Sequence, residues 1–363
     1  MNRDFWNNRR VLVTGHTGFK GSWLCLWLKQ LSARVTGFAL PPPTDPSLFE
    51  LADVGQGIDS VIGDVRDVES LTRVVRESRP EVVLHLAAQS LVRRSYDDPL
   101  ETYSTNVLGS ANLFQAIREA GGCRVVVNVT SDKCYENHEW IWGYRENDEL
   151  GGRDPYSNSK ACSELVTRAF RDSFFSVDTF SQHRTAIATA RAGNVIGGGD
   201  WTEDQLIPDV IRAFNDGRPV SIRRPGSIRP WQHVLDCLGG YLTLAEKLAY
   251  DGASFSGAWN FGPAVKDART VGWIVEELCR RWGDDASWVQ DSNPHPHEAA
   301  FLRLDNSKAV AQLGWRPRLS LEDALDWTVE WYKGLGSNLV VKDVCERQIE
   351  RYAGLEALES SDA

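Results

Sequence analysis

The sequence has no C-x-x-C pair, no apolar run long enough to cross a bilayer and no excess of positive charge. Each absence excludes something. Seven cysteines, odd in number and scattered over 363 residues, read as reduced thiols of a cytosolic protein rather than as a disulfide frame. A spanning helix needs ~20 consecutive apolar residues, and none occurs; no apolar signal segment precedes the first strand either. A formal net charge of −10 argues against a nucleic-acid partner. It also means that any anionic ligand must be met by a local basic pocket. Internal repeats and long low-complexity tracts are missing too.

The bulk composition, 42% hydrophobic and 25% charged, is that of a globular chain. The length suits one large domain or two fused ones. Among 14 tryptophans, Trp140, Trp142, Trp201 and Trp231 fall near loops that the motifs below single out; the rest read as core and interface.

Short apolar runs alternate with helical patterns. Arg10–Thr14, Arg34–Leu40, Ser60–Ile62, Val82–Leu86, Val125–Val129 and Thr185–Thr189 read as strands. Phe19–Leu31, Asp67–Ser78 and Leu100–Ala120 read as helices between them. That alternation predicts an α/β protein with a doubly wound parallel sheet of Rossmann type. Asp154-Pro155 predicts a helix start running to about Phe174. After residue 194 glycines and prolines loosen the pattern, although Leu206–Asn215, Val234–Ala249, Val271–Trp282 and Leu321–Lys333 still read as helices. We therefore expect residues 1–193 to form a dinucleotide-binding domain, with 233–262 returning to it. Residues 194–354 would otherwise form a smaller, interleaved mixed α/β substrate-binding cap, and 355–363 a frayed acidic tail.

Gly15-His16-Thr17-Gly18-Phe19-Lys20-Gly21 follows a strand and opens a helix, the context a dinucleotide fingerprint requires. Its spacing is G-x-x-G-x-x-G. The acidic residue that usually holds the ribose is missing, since the second strand ends Gly37-Phe38-Ala39-Leu40, and no arginine follows to take a 2′-phosphate. NAD is favoured over NADP. Asp64, next to Val65 after the third strand, is open to two readings: a contact to the adenine amino group, or the cap of the helix that begins near Asp67.

Tyr156 and Lys160 stand four residues apart, on one face of the predicted helix. An ammonium beside a phenol is expected to lower its pKa and make it a base for a hydroxyl proton. Thr130 and Ser131 emerge at the carboxyl end of a buried strand, where open α/β sheets bind ligands. Ser131, Tyr156 and Lys160 together would hold an alcohol for oxidation. Asp132 and Lys133 add an acid and a base beside that centre, and so point to proton chemistry on a neighbouring carbon; as an alternative they are an ion pair on a capped loop.

These segments, with Ala87-Ala88-Gln89-Ser90 and Asn106-Val107-x-Gly109, resemble the extended short-chain dehydrogenase/reductase family. Within it, Leu40-Pro41-Pro42-Pro43-Thr44, the run Arg191–Trp201, Arg229-Pro230-Trp231-Gln232-His233 and Leu313-Gly314-Trp315-Arg316-Pro317 resemble the branch of sugar-nucleotide 4,6-dehydratases that acts on CDP-glucose. The resemblance covers nearly the whole chain. It implies a lyase that uses NAD to oxidise the sugar at C4, eliminates water across C5 and C6, and reduces C6. By resemblance the cofactor contacts are Gly15, Thr17, Gly18, Phe19, Gly21, Asp64, Val65, Leu86, Ala87, Ala88 and Asn106, with Tyr156 and Lys160. Ser131, Asp132, Lys133, Tyr156 and Lys160 carry the catalysis. The sugar-nucleotide 4,6-dehydratases generally have Asp-Glu where this chain has Asp132-Lys133, which leaves open whether Lys133 removes the C5 proton or stabilises the enolate. The resemblance also implies a homodimer or a dimer of dimers, joined through the helices near Leu100–Ala120 and Pro155–Phe174. Leu108, Phe114, Leu165, Val166 and Phe170 could serve that contact or the core. It further implies deoxysugar-nucleotide biosynthesis of the lipopolysaccharide O-antigen kind.

For the substrate, Arg223, Arg224 and Arg229 form a cluster that matches a diphosphate, or else a solvated loop with acidic partners. By resemblance Gln89, Ser90, Asn194, Arg229 and His297 join it. His295, His297 and Glu298 lack a fourth partner and are not read as a metal site. Two other functions use part of this set. A sugar-nucleotide 4-epimerase needs Tyr156, Lys160 and NAD but no acid and base at C5 and C6. A non-catalytic NAD-binding scaffold would need no intact Ser131, Tyr156 and Lys160.

Overall fold

The computed structural model describes residues 1–264, 267–283, 285–291, 301–335 and 339–359, with side chains as far as Leu355. Its centre is a seven-stranded parallel sheet. Strands β1 (Arg10–Thr14), β2 (Arg34–Ala39), β3 (Asp59–Ile62), β4 (Val82–His85), β5 (Val125–Val129) and β6 (Ala186–Ala192) are joined by the later Gly257–Phe261 strand. From edge to edge the order is Gly257–Phe261, β6, β5, β4, β1, β2, β3. The order reverses at β1, between β4 and β2, and such a switch point leaves a crevice above the carboxyl ends of the strands.

The sheet is buried on both faces, which is why β4 and β5 are uninterrupted apolar or buried runs. Successive residues serve opposite cores. Val11, Val13, Val125 and Val127 pack with Trp23, Leu24 and Leu238 on one side. Leu12, Val83 and Val126 pack with Val74, Leu113 and Phe114 on the other. The Phe19–Gln30 helix is buried from Gly21 to Leu28 and carries no polar stripe. A helix apolar all round needs cover on every side, and the Val341–Glu359 helix supplies it: Tyr352 meets Trp27 edge to face at 5.5 Å. That helix enters the segment expected to fray at Leu355.

The predicted Pro155–Phe174 helix is present, capped by Asp154, whose carboxylate accepts from Ser157 N at 2.8 Å. The predicted Leu100–Ala120 helix is broken. Pro99–Tyr103 runs into a π-helical turn at Ser104–Leu108 before Gly109–Ala120 resumes the α-helix. The wider turn places Asn106 inside the protein, and a Cβ on Gly109 would come within 2.7 Å of Val65.

Beyond β6 the chain forms small pieces around the crevice. Val195–Ile196 pairs with Gln232–His233, and Ile228–Pro230 pairs antiparallel with Ala268–Thr270. Val220–Ile222 pairs with Trp288–Gln290. The helices Leu206–Asn215 and Val271–Trp282 complete this cap. All seven cysteines are free thiols. Among the described residues no helix is long and apolar enough to cross a membrane.

Candidate active site

One cavity of about 1310 Å³ lies above the carboxyl ends of β1, β4, β5 and β6, and the cap closes its far side. Its first wall is the glycine turn. Gly15 has φ +77°, and a Cβ there would sit 2.7 Å from Ala87 N. A Cβ on Gly21 would come to 2.1 Å from the Gly15 carbonyl oxygen, so only glycine lets this helix start against the turn. Gly18 is the N-cap of the Phe19–Gln30 helix, and no side chain caps it. Unanswered N–H groups at a helix N-terminus facing a cavity make an anion site, and the turn therefore fits a dinucleotide pyrophosphate.

Gly15, Thr17, Gly18, Phe19, Gly21, Asp64, Val65, Leu86, Ala87 and Ala88 all line the cavity. Thr17 donates its hydroxyl to the Leu40 carbonyl at 2.9 Å, closing the end of β2 that lacks an acid. Asp67, not Asp64, caps the following helix, accepting from Glu69 N and Ser70 N. Asp64 instead takes the Arg66 guanidinium through Nε at 2.8 Å. Burial opposes its ionisation, but Arg66 holds the carboxyl below its ordinary value. Asn106 departs from expectation. It lies off the cavity wall, because its amide bonds Gln89 N and O at 2.8 and 2.9 Å and the Ser159 hydroxyl at 2.8 Å. It braces the Gln89 backbone.

Ser131, Lys133, Tyr156 and Lys160 line the same cavity. The Ser131 side chain neighbours the Tyr156 phenol, while its hydroxyl donates to Asp132 Oδ1 at 3.1 Å and accepts from Lys133 N at 3.2 Å. Lys160 reaches back from its helix to donate to the Val129 carbonyl at 3.4 Å. Burial, with a further contribution from Lys20, lowers the Lys160 pKa to about 8. The expected lowering of the Tyr156 pKa is not found. Burial raises it, and the neighbouring Ser131 only partly offsets that. The reason is desolvation: a buried phenolate costs more than the neighbouring groups return.

Asp132 also departs from expectation. It is fully buried and not on the wall. Its Oδ1 accepts from the Ser131 hydroxyl at 3.1 Å and lies 3.6 Å from Lys133 Nζ. Its Oδ2 has no hydrogen-bond partner and points at the Gly193 backbone, where an added Cβ would approach it to 2.9 Å.

Gln89, Ser90, Asn194, Arg223, Arg224 and Arg229 line the same cavity, the three arginines from the cap. Gln89 is largely spent: its amide donates to Thr102 and Leu91 and accepts from Leu91 N, leaving one acceptor position on its oxygen. Asn194 keeps a buried Oδ1 with no hydrogen-bond partner. His295, His297 and Glu298 lie outside the described residues.

A buried network behind this wall escaped the sequence reading. Glu164 accepts from Thr130 Oγ1 at 2.5 Å, Thr189 Oγ1 at 2.8 Å and Arg191 at 2.8 Å. Arg191 also donates to the Tyr135 hydroxyl at 2.8 Å and the Glu146 carbonyl at 3.1 Å. The available signal was spacing: Glu164 lies one turn beyond Lys160 on the same helix face. A second buried layer supports the glycine turn, with Thr14 sharing a 2.6 Å hydrogen bond with His85 and accepting from Ala87 N. Burial lowers the His85 pKa to about 3, so its ring is neutral.

A doubly wound parallel sheet with an uncapped glycine turn and a Ser–Tyr–Lys set facing one cavity defines an extended short-chain dehydrogenase/reductase. A family model described as GDP-mannose 4,6 dehydratase matches residues 12–328, and the chain belongs to that family. It is 55% identical to CDP-glucose 4,6-dehydratase of Salmonella typhimurium (strain LT2) over 333 residues, 92% of this chain and 93% of that protein. Among solved structures, the UDP-glucose 4-epimerase of Thermus thermophilus in complex with NAD matches with a TM-score of 0.77. Identity there is 25%, over 90% of this chain and 99% of that one. A dTDP-glucose 4,6-dehydratase of Streptomyces venezuelae with NAD bound matches at 0.74, with 27% identity over 89% and 97% of the two chains.

Proposed function

We propose that this protein converts CDP-glucose to CDP-4-dehydro-6-deoxyglucose with NAD recycled, as a cytoplasmic enzyme of deoxysugar-nucleotide biosynthesis. The observation that carries this reading is that Ser131, Lys133, Tyr156 and Lys160 line one cavity with the glycine turn, together with the high identity to a CDP-glucose 4,6-dehydratase over nearly the full length of both chains.

NAD, when bound at the glycine turn, supplies the hydride acceptor for C4 and the donor for C6. The chain's own residues do the rest. Tyr156 takes the proton of the sugar 4-hydroxyl, and Ser131 holds the same oxygen. Lys160, still largely cationic near neutral pH with a pKa of about 8, stabilises the phenolate form in which Tyr156 accepts that proton. The C4 ketone acidifies the C5 proton, since the carbanion becomes an enolate. Lys133, on the cavity wall, receives that proton as the neutral amine, and Asp132, as the protonated carboxyl, supplies one to the departing 6-hydroxyl. Because Asp132 is turned toward Gly193, this delivery includes a turn of its side chain to the cavity. Arg223, Arg224 and Arg229 clamp the diphosphate, and Asn194, Gln89 and Ser90 orient the sugar.

In this reading residues 1–193, with 233–262, form the NAD-binding domain, and the rest of 194–354 forms the cap. The assembly is a homodimer through the Pro155–Phe174 helix and its neighbour. Leu108 and Leu165, 59% and 51% exposed, suit that contact, whereas Phe114 is fully buried and Val166 and Phe170 pack against the core. The test is product analysis with CDP-, dTDP- and UDP-glucose offered side by side. CDP-glucose should be dehydrated at least tenfold more efficiently than either; equal turnover of all three would remove the base assignment.

A further inference from the structure

Three consecutive residues at the end of β5 hang on one face of the Pro155–Phe174 helix. Asn128 donates to Ser163 and Thr167 at 3.0 and 2.8 Å. The Val129 carbonyl accepts from Lys160. The Thr130 hydroxyl donates to Glu164. The next residue on the strand is Ser131, and the next turn back on the helix carries Tyr156. The register of strand against helix therefore sets the gap between Ser131 and Tyr156.

Glu164 is the fixed point of that register. It is 4% exposed, and its second oxygen is held by Thr189 and Arg191, both on β6. Arg191, 3% exposed, extends the tie to Tyr135, a cavity-wall residue, whose hydroxyl donates to Asn260 at 2.7 Å. A fully buried ion pair contributes little net stability relative to apolar packing, so stability alone does not account for one here. Placement of groups does, because an error of ~1 Å in a reacting geometry costs about 100-fold in rate.

We propose that Glu164, anchored by Arg191, is a positioning residue that holds Thr130 and thereby fixes Ser131 against Tyr156. It touches neither substrate nor cofactor. The proposal rests on the dehydratase reading above. Two substitutions each remove one hydroxyl from the same carboxylate: Thr130→Val on the strand leading to Ser131, and Thr189→Val on β6. A merely structural role for Glu164 predicts similar consequences for both. Positioning predicts that Thr130→Val lowers kcat by roughly 10- to 100-fold with KM within about threefold of wild type. Thr189→Val should lose comparable thermal stability while kcat stays within about threefold, and Thr130→Ser, which keeps the hydroxyl, should restore kcat. If Thr130→Val does not accumulate as folded protein, Thr130→Ala gives the same comparison. Equal losses of kcat in Thr130→Val and Thr189→Val, or an unchanged kcat in Thr130→Val, would overturn the proposal. A wild type that dehydrates another nucleotide hexose instead of CDP-glucose would correct the substrate and leave the kcat ratios measurable. A wild type that acts on no CDP-, UDP-, dTDP- or GDP-linked hexose would overturn both.

Discussion

Lys160 concentrates the electrostatic cost of the site in one residue. Its pKa falls from 10.5 to about 8 because burial penalises the cation and Lys20 adds repulsion. The sign follows from linkage. Above pH ~10.5 folded and unfolded chains both carry a neutral amine and burial costs nothing; below pH ~8 the full penalty applies. Relative to Lys160→Met, the wild type should therefore gain stability as pH rises from 7.5 to 9.5, by about 1–2 kcal/mol. Urea unfolding of both proteins at the two pH values measures this, and parallel curves would contradict the assignment. Tyr156→Phe removes the proton acceptor while leaving the ring in place, so kcat should fall by roughly 10²- to 10⁴-fold with little change in melting temperature. These roles were legible in the sequence because Tyr156 and Lys160 share a helix face by spacing alone. The protonation energetics were not, because desolvation depends on what the tertiary structure packs around a group: the phenol expected to be acidified is instead raised by burial.

At the scale of elements, the glycine turn and the β5–helix junction place everything else. Gly21→Ala would drive a methyl group into the Gly15 carbonyl. It should destabilise the protein by more than ~2 kcal/mol and abolish NAD binding, read by melting temperature and by titration calorimetry. The strand–helix alternation of the first 192 residues was legible because period and turn chemistry are local. What the sequence concealed was non-local. Asn106 turned into a brace because a π-helical turn carried it inward to Gln89 and Ser159. Glu164 and Arg191 lie far apart in the sequence, and only the fold brings them to 2.8 Å from each other under the strand ends. Asp132 was placed correctly at the strand end, but its side chain packs toward Gly193, a contact between segments 61 residues apart that no local pattern reports.

For the whole molecule, segments far apart in sequence share the cavity wall, and Arg93 and Asp204, both on it, form an ion pair at 3.0 Å. Both groups are about two-fifths exposed, so the pair contributes at most ~1 kcal/mol and is screened by salt. On the outer face of the Rossmann half, the exposed Leu108 and Leu165 underlie the dimer proposed above. Leu165→Glu should convert the dimer to monomer in light scattering at micromolar concentration, and an unchanged mass would place the contact elsewhere.

The central claim is the coupling of C4 oxidation to loss of water at C5 and C6 in one cavity. Incubation with CDP-glucose and NAD⁺ in D₂O, followed by mass spectrometry and NMR, tests it most directly. The account predicts a product lighter by one water, with one solvent deuterium at C5 and no net NADH. Recovery of a C4 epimer with all its oxygen atoms would contradict it.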